Sequence, residues 1–265
     1  MKVTFVGGGN MANALIGGMI GRGFIAANIQ VIDVLPAARD RLAKQFGVLC
    51  SPSVEKLETL GDIIVMAVKP QQMREAAIEI GNRVGKAMVL TIAAGIALTD
   101  LSRWLGGATA LVRCMPNTPA LIGEGITGAY AQPSVNAARR ADAEVILAPA
   151  GKIVWVDSEA LLDPVTAVSG SGPAYVFYFI EAMMQAAAEM GLSEAHGRAL
   201  ALATFAGATA LAAQSDDAPA VLRERVTSRG GTTLAALTAL EDSGVKAAFV
   251  RALHAARRRA EELGR

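Results

Sequence analysis

Val3-Thr4-Phe5-Val6-Gly7-Gly8-Gly9-Asn10-Met11-Ala12 is the stretch on which the fold turns. Four strand-type residues run into a glycine triplet, and a helical pattern from about Met11 to Arg22 follows. The glycine segment fits G-x-G-x-x-[GA], and it lies between a predicted strand and a predicted helix, as a dinucleotide-binding turn requires. In such a turn Gly7 allows the sharp bend and Gly9 lets a pyrophosphate approach the backbone. The small Ala12 lets helix and strand pack closely. The helix start then offers free N–H groups to the anion. Val6, Gly7, Gly8, Gly9, Asn10 and Met11 are therefore candidate cofactor-binding residues. The alternative is a glycine-rich turn without a ligand.

Outward from this turn, short β-type runs alternate with helical stretches. Gln30 to Ile32, Ile63 to Val68, Met88 to Ile92 and Ala110 to Met115 read as strands. Pro36 to Phe46, Met73 to Val84 and Thr99 to Leu105 read as helices. This alternation predicts βαβ units and a mostly parallel sheet, an α/β domain. After Lys152 to Val156 the strand signals stop. Pro173 to Met190, Ser193 to Ser215, Pro219 to Val226, Thr232 to Asp242 and Val245 to Leu263 follow as helices, so the second part is all-α. The boundary is placed near residue 157, giving domains 1–157 and 158–265. Ser193 suits an N-cap, and Gly191 and Gly244 sit where helices end. Much of the helical part is apolar on more than one face, which predicts a homodimer formed through it; packing on its own first domain is the alternative.

Composition excludes several classes. The chain has 265 residues, 52% hydrophobic and only 18% charged, which does not suit a disordered protein. Lys and Arg number 25 against 24 Asp and Glu, so phosphate neutralisation as in nucleic-acid binders is not expected. The run Arg257-Arg258-Arg259 reads as a solvated or intersubunit helix face. Two cysteines and two histidines provide neither a disulfide framework nor a His-based metal site, so no metal is expected. The cysteine usage fits a cytoplasmic location. Cys114 reads as core, not nucleophile. The uncharged run after Lys2 is broken by the glycine triplet, unlike a signal peptide. The run from Ala199 to Ser215 is shorter than the ~20 apolar residues of a membrane span.

Asp33 lies at the end of the second strand, where a carboxylate bonds the hydroxyls of the adenine-side ribose. It would repel a 2′-phosphate, and Val34 and Leu35 follow it where an arginine would help. Arg39 and Arg41 fall in the next helix. Taken alone, this pattern favours NADH over NADPH. A plain turn or cap residue before Pro36 is the other reading of Asp33.

Six segments, in order through nearly the whole chain, resemble pyrroline-5-carboxylate reductases. They are Gly7 to Ala12, Ala67-Val68-Lys69-Pro70, Ala93-Ala94-Gly95, Met115-Pro116-Asn117-Thr118-Pro119, Ser169-Gly170-Ser171-Gly172-Pro173-Ala174-Tyr175 and Thr227-Ser228-Arg229-Gly230-Gly231-Thr232-Thr233. The resemblance implies NAD(P)H-dependent reduction of L-1-pyrroline-5-carboxylate to L-proline, the last step of proline biosynthesis. It implies a Rossmann-like first domain, a helical dimerisation domain and assembly of dimers into larger rings. Members commonly use NADPH and frequently NADH. Asp33 and Val34 stand where many members carry smaller polar or basic residues.

The protein's task in hydride transfer is to bind, orient and exclude water, so no catalytic triad is needed. The resemblance sets Ala67, Val68, Lys69 and Pro70 along the cofactor; Lys69 either adds charge there or is simply solvated. Ile92, Ala93 and Ala94 are small enough to let a nicotinamide sit near the backbone, and Asn117 can donate and accept. Ser228, Gly230, Gly231 and Thr232 precede or open a helix and suit a substrate carboxylate. By resemblance Thr233 hydrogen-bonds the substrate and is the candidate for proton delivery or orientation; helix N-capping is its competitor. Asp216 aligns with an acidic substrate-side position, or marks a helix start with Asp217. The segment holding Ser171 either lines the substrate pocket or packs a domain junction.

Two other readings compete. A hydroxyacid dehydrogenase or other imine reductase on the same plan would want a lysine between Pro173 and Met190, and that stretch has none. A dinucleotide sensor would keep the glycine turn but not need the Gly-Gly-Thr-Thr segment.

Overall fold

The structure, a computed structural model, describes residues 1–264. Eight strands form one sheet in the order β3-β2-β1-β4-β5-β6-β7-β8. They are β1 (Val3–Val6), β2 (Ile29–Ile32), β3 (Leu49–Ser51), β4 (Ile63–Met66), β5 (Met88–Thr91), β6 (Leu111–Met115), β7 (Gly125–Ala131) and β8 (Gly151–Trp155). All neighbours are parallel except β6 and β7. Helices α1 (Asn10–Gly21), α2 (Pro36–Phe46), α3 (Pro70–Gly81), α4 (Leu98–Trp104) and α5 (Ala137–Leu147) connect the strands.

Strand alternation feeds two apolar layers. On one face Val3 and Phe5 of β1 pack with Leu15, Ile16 and Met19 of α1. On the other, Val6 joins Ile64 and Met66 of β4 with Met73 and Ile80 of α3. Strands covered on both faces explain their continuous apolar runs. Two buried polar side chains on neighbouring strands meet: Gln30 Nε2 donates to Thr4 Oγ1 at 2.7 Å, and also to the carbonyl of Thr59 in the segment before β4 at 2.6 Å.

Several elements depart from the sequence reading. The expected helix at Met73–Val84 is Pro70–Gly81, because Lys69 is extended and Pro70 takes the first helical position, where its missing N–H costs nothing. Strand β3 is a three-residue edge that gave little pattern. Strand β7, which contains Gly125 and Gly128, has no counterpart in the sequence reading. A Cβ on Gly128 would come within 2.5 Å of Val165 Cγ1, so close packing explains the glycine. Helix α5 was unassigned; Asn136 caps it by accepting the Arg139 N–H at 3.0 Å.

The described residues divide into two compact units, 1–171 with 256–264, and 172–255. The compact units thus divide at residue 171, beyond the boundary expected near 157, and the last turns of the final helix count with the first unit. The reason is an ion-pair cluster. Residues after β8 form α6 (Leu162–Val165) and a π-helical turn (Thr166–Gly170) that stay on the sheet. Arg113 of β6, only 8% exposed, pairs with Glu159 at 2.9 Å and Asp163 at 3.8 Å. Glu159 also accepts the Leu98 N–H at 2.8 Å, at the start of α4. Near the chain's end Leu263 lies against Gly95: a Cβ there would meet the Leu263 carbonyl oxygen at 2.9 Å.

The second unit contains α7 (Gly172–Glu189), α8 (Glu194–Gln214), α9 (Pro219–Arg225), α10 (Thr232–Asp242) and the start of α11 (Val245–Leu263). Ser193 caps α8 as expected, accepting the His196 N–H at 3.3 Å. Gly191 and Gly244 adopt φ +90° and +65° at helix ends, also as expected. Phe249 of α11 meets Tyr175 and Phe179 of α7 edge-on, each with ring centroids 5.7 Å apart. No described helix is long and apolar enough to cross a membrane.

Candidate functional site

Strand register sets the candidate cofactor residues side by side. Val6 pairs with Met66, Met66 with Thr91 and Thr91 with Arg113. The residues just beyond, Gly7, Ala67 and Ile92, form one row at the carboxyl ends of β1, β4 and β5. The Ala67 N–H donates to the Val6 carbonyl at 2.7 Å and the Ile92 N–H to the Met66 carbonyl at 3.2 Å. The strand order reverses between β1 and β4, the place where open α/β sheets bind ligands.

The glycine turn fits an approaching pyrophosphate. Gly7 has φ +100°, and a Cβ on it would lie 2.6 Å from the Ala67 carbonyl oxygen, so only glycine fits. Gly9 is exposed and nothing lies within 4 Å of where its Cβ would stand. Ala12 is fully buried, as close helix packing demands. Gly9 caps α1 without a side-chain bond, and the first helical hydrogen bond is Asn13 N–H to the Gly9 carbonyl. The N–H groups of Asn10, Met11 and Ala12 are thus free of intrahelical partners. These features fit a dinucleotide, with the anion at the helix start.

Asp33 is tied to the turn. Its Oδ2 accepts the Gly8 N–H at 2.7 Å and its Oδ1 accepts the Leu35 N–H at 2.8 Å. Leu42 of α2 fills the space below Gly8. The sequence reading left Arg39 and Arg41 in the next helix. Both fold back: Arg39 Nη1 donates to the Asp33 carbonyl at 2.7 Å and Arg41 Nη2 to the Gly8 carbonyl at 2.8 Å. Helical phase gave no sign of this, since residues two apart point to different sides.

The other loops differ in character. Lys69 and Pro70 are exposed, and Val68 is half-buried against Gly7. Ala93 is buried, its N–H bonded to Thr91 Oγ1 at 3.3 Å, and Ala94 is half-buried. Asn117 is occupied within the protein. Its Oδ1 accepts the Ile126 N–H at 3.0 Å, and its Nδ2 lies 3.3 Å from both oxygens of Ser169. It braces the loop after β6 against the π-helical turn, whose neighbour Ser171 belongs to the first unit. Burial pushes the Cys114 thiol up to about 12, which leaves it un-ionised and in the core as expected.

In the second unit, Ser228, Gly230, Gly231, Thr232 and Thr233 form one loop and helix start. Gly230 has φ +72° and the Gly231 N–H donates to the Ser228 carbonyl at 3.1 Å. The cap of α10 is Gly231, without a side-chain bond, and the helix opens with Ala235 N–H to the Gly231 carbonyl. Thr233 therefore does not cap this helix. Its half-buried hydroxyl has no hydrogen-bond partner among the described residues. Asp216 precedes α9 whereas Ser228 follows it, so the two flank a helix about 10 Å long. Asp217, not Asp216, pairs with Arg225 and Ser215; Asp216 is exposed.

Similarity to known proteins agrees with this layout. A family model described as pyrroline-5-carboxylate reductase dimerisation matches residues 159–263. A second, NADP oxidoreductase coenzyme F420-dependent, matches residues 2–95. Pyrroline-5-carboxylate reductase of Pseudomonas aeruginosa is 41% identical over 263 residues, 99% of this chain and 96% of that one. The solved pyrroline-5-carboxylate reductase of Coxiella burnetii shares 34% identity with a TM-score of 0.94, covering 100% of this chain and 98% of its own. That of Plasmodium falciparum, solved with NADP bound, shares 29% with a TM-score of 0.89 over 100% and 98%. With similarity running from the glycine turn through the last helix, the chain belongs to the pyrroline-5-carboxylate reductase family.

Proposed function

We propose that this protein reduces L-1-pyrroline-5-carboxylate to L-proline with NADPH or NADH, the last step of proline biosynthesis. The observation that carries this reading is the open glycine turn, with Gly9 unobstructed beside the free amides of α1, in a member of this family. The nicotinamide group, when bound, supplies a hydride to the imine carbon. The amides of α1 and Gly9 hold the diphosphate, and Ala67, Val68, Ile92, Ala93 and Ala94 provide a low wall beside it. Lys69 and Pro70 border the same loop, and Asn117 keeps the next loop rigid. Ser228, Gly230, Gly231 and Thr232 receive the substrate carboxylate at the start of α10. The Thr233 hydroxyl donates a hydrogen bond to the ring nitrogen; as hydride adds to the carbon the C=N π bond breaks, and the nitrogen takes a proton from that hydroxyl, which is resupplied by solvent. Asp216 and Ser171 are proposed to face the substrate.

Absorbance at the nicotinamide band tests the reaction. With pyrroline-5-carboxylate present the absorbance is expected to fall and proline to accumulate. Binding of dinucleotide without consumption would replace this reading with the sensor.

The working form is proposed to be a homodimer in the cytoplasm. Phe177, Tyr178, Leu200 and Leu211 are each more than half exposed, a patch suited to a second copy. Light scattering on the eluting protein is expected to give at least twice the chain mass; a monomer at micromolar concentration contradicts the dimer. A larger multiple would indicate the association of dimers into rings.

A further inference from the structure

We infer that Arg39 and Arg41 admit the 2′-phosphate of NADPH beside a carboxylate that would otherwise exclude it. The inference rests on the nucleotide-site reading above and concerns which dinucleotide that site accepts. Asp33 is fixed by two backbone N–H groups, from Gly8 and Leu35. Each carboxylate oxygen has a further lone pair, enough to accept the 2′- and 3′-hydroxyls of an unphosphorylated ribose. A 2′-phosphate set against the same carboxylate is repelled. The two guanidinium groups change that balance. Arg39 holds the carbonyl of Asp33 itself, and Arg41 holds the carbonyl of Gly8, the residue whose N–H binds Asp33. Two positive charges thus sit on the backbone carbonyls of Asp33 and Gly8, at the junction of β2 with the glycine turn.

Neither arginine is spent by its contact. A guanidinium has five N–H donors, and each of these gives one to a carbonyl. Neither forms an ion pair with a carboxylate side chain among the described residues. The carbonyl contacts fix where each charge sits, and the planar fork matches phosphate oxygens. The site therefore has one device for each ribose: the carboxylate for a free diol, the arginine pair for a phosphorylated one. Sequence alone favoured NADH because it set Arg39 and Arg41 in the next helix without showing that their side chains reach the Asp33 and Gly8 carbonyls.

Calorimetric titration of the whole protein with NADPH and with NADH tests this. Arg39→Gln and Arg41→Gln keep a donor for the carbonyls while removing the charge. Each is expected to reduce the ratio of NADPH to NADH affinity about tenfold, the usual worth of one charge-assisted bond. Asp33→Asn is expected to shift the ratio about tenfold the other way. The unmodified protein's NADPH affinity is expected to fall more steeply with salt than its NADH affinity. Equal weakening of both dinucleotides in the arginine variants would make the arginines purely structural and overturn the inference, as would an unmoved ratio. If the unmodified protein binds neither dinucleotide, the nucleotide-site reading itself fails.

Discussion

Thr233→Ala should lower turnover about a hundredfold, the low end for loss of a positioned proton-transfer group. Cofactor KM should move little, because Thr233 opens α10 and the glycine turn lies on other elements. The structure sharpens this expectation. A threonine at a helix start often serves as cap, yet here Gly231 holds that position and the Thr233 hydroxyl is unclaimed. Removing it should leave helix stability within a few tenths of a kcal/mol, since no cap is lost. Thr233→Ser, which keeps the hydroxyl, should restore most of the turnover. Stopped-flow and steady-state kinetics with saturating dinucleotide separate the effects. A variant with normal turnover but lost dinucleotide affinity would show that the assigned role is wrong.

Arg113→Ala should destabilise the protein by about 3 kcal/mol, the lower end for breaking a buried ion pair. Glu159 and Asp163 would be left without their shared cation, and Glu159 also holds the start of α4. Urea unfolding measures the loss. The effect also has a pH signature. Burial raises the Asp163 carboxyl above its ordinary range, against the pull of Arg113. A carboxyl raised in the folded state contributes stability below its unfolded pKa and loses it as pH rises through the folded value. Without Arg113 that folded value climbs further, so the loss spreads to higher pH. The stability gap between variant and parent should therefore narrow as pH falls through the carboxylate range. A gap that widens on acidification would show that Asp163 is not coupled to Arg113.

How much of this could be read from residues depended on how local the signal was. The βαβ plan, the glycine turn and the helical second part are patterns of a few consecutive residues, and each is present with its ends shifted by local features such as Pro70. Strand β7 did not announce itself, because its glycines answer to Val165 and Ala150, far along the chain. The first compact unit runs past 157 for the same reason: Arg113 reaches 46 residues ahead to Glu159. In the candidate site the backbone-determined positions were legible, Gly7 and Gly9 above all. Side chains with a choice of partner were not. Asn117 looked available and is used by Ile126 and Ser169, while Arg39 and Arg41, set in the next helix, reach the carbonyls of Asp33 and Gly8.

The late return of residues 256–264 to the first unit bears on how the chain is made. A ribosome emits about 5–20 residues each second, amino end first, and a domain whose parts are contiguous can close as it emerges. Here the loop carrying Gly95 acquires its Leu263 neighbour only after the whole intervening helical segment has been synthesised. The nascent nucleotide-binding half must wait, incomplete, for the tail that finishes it.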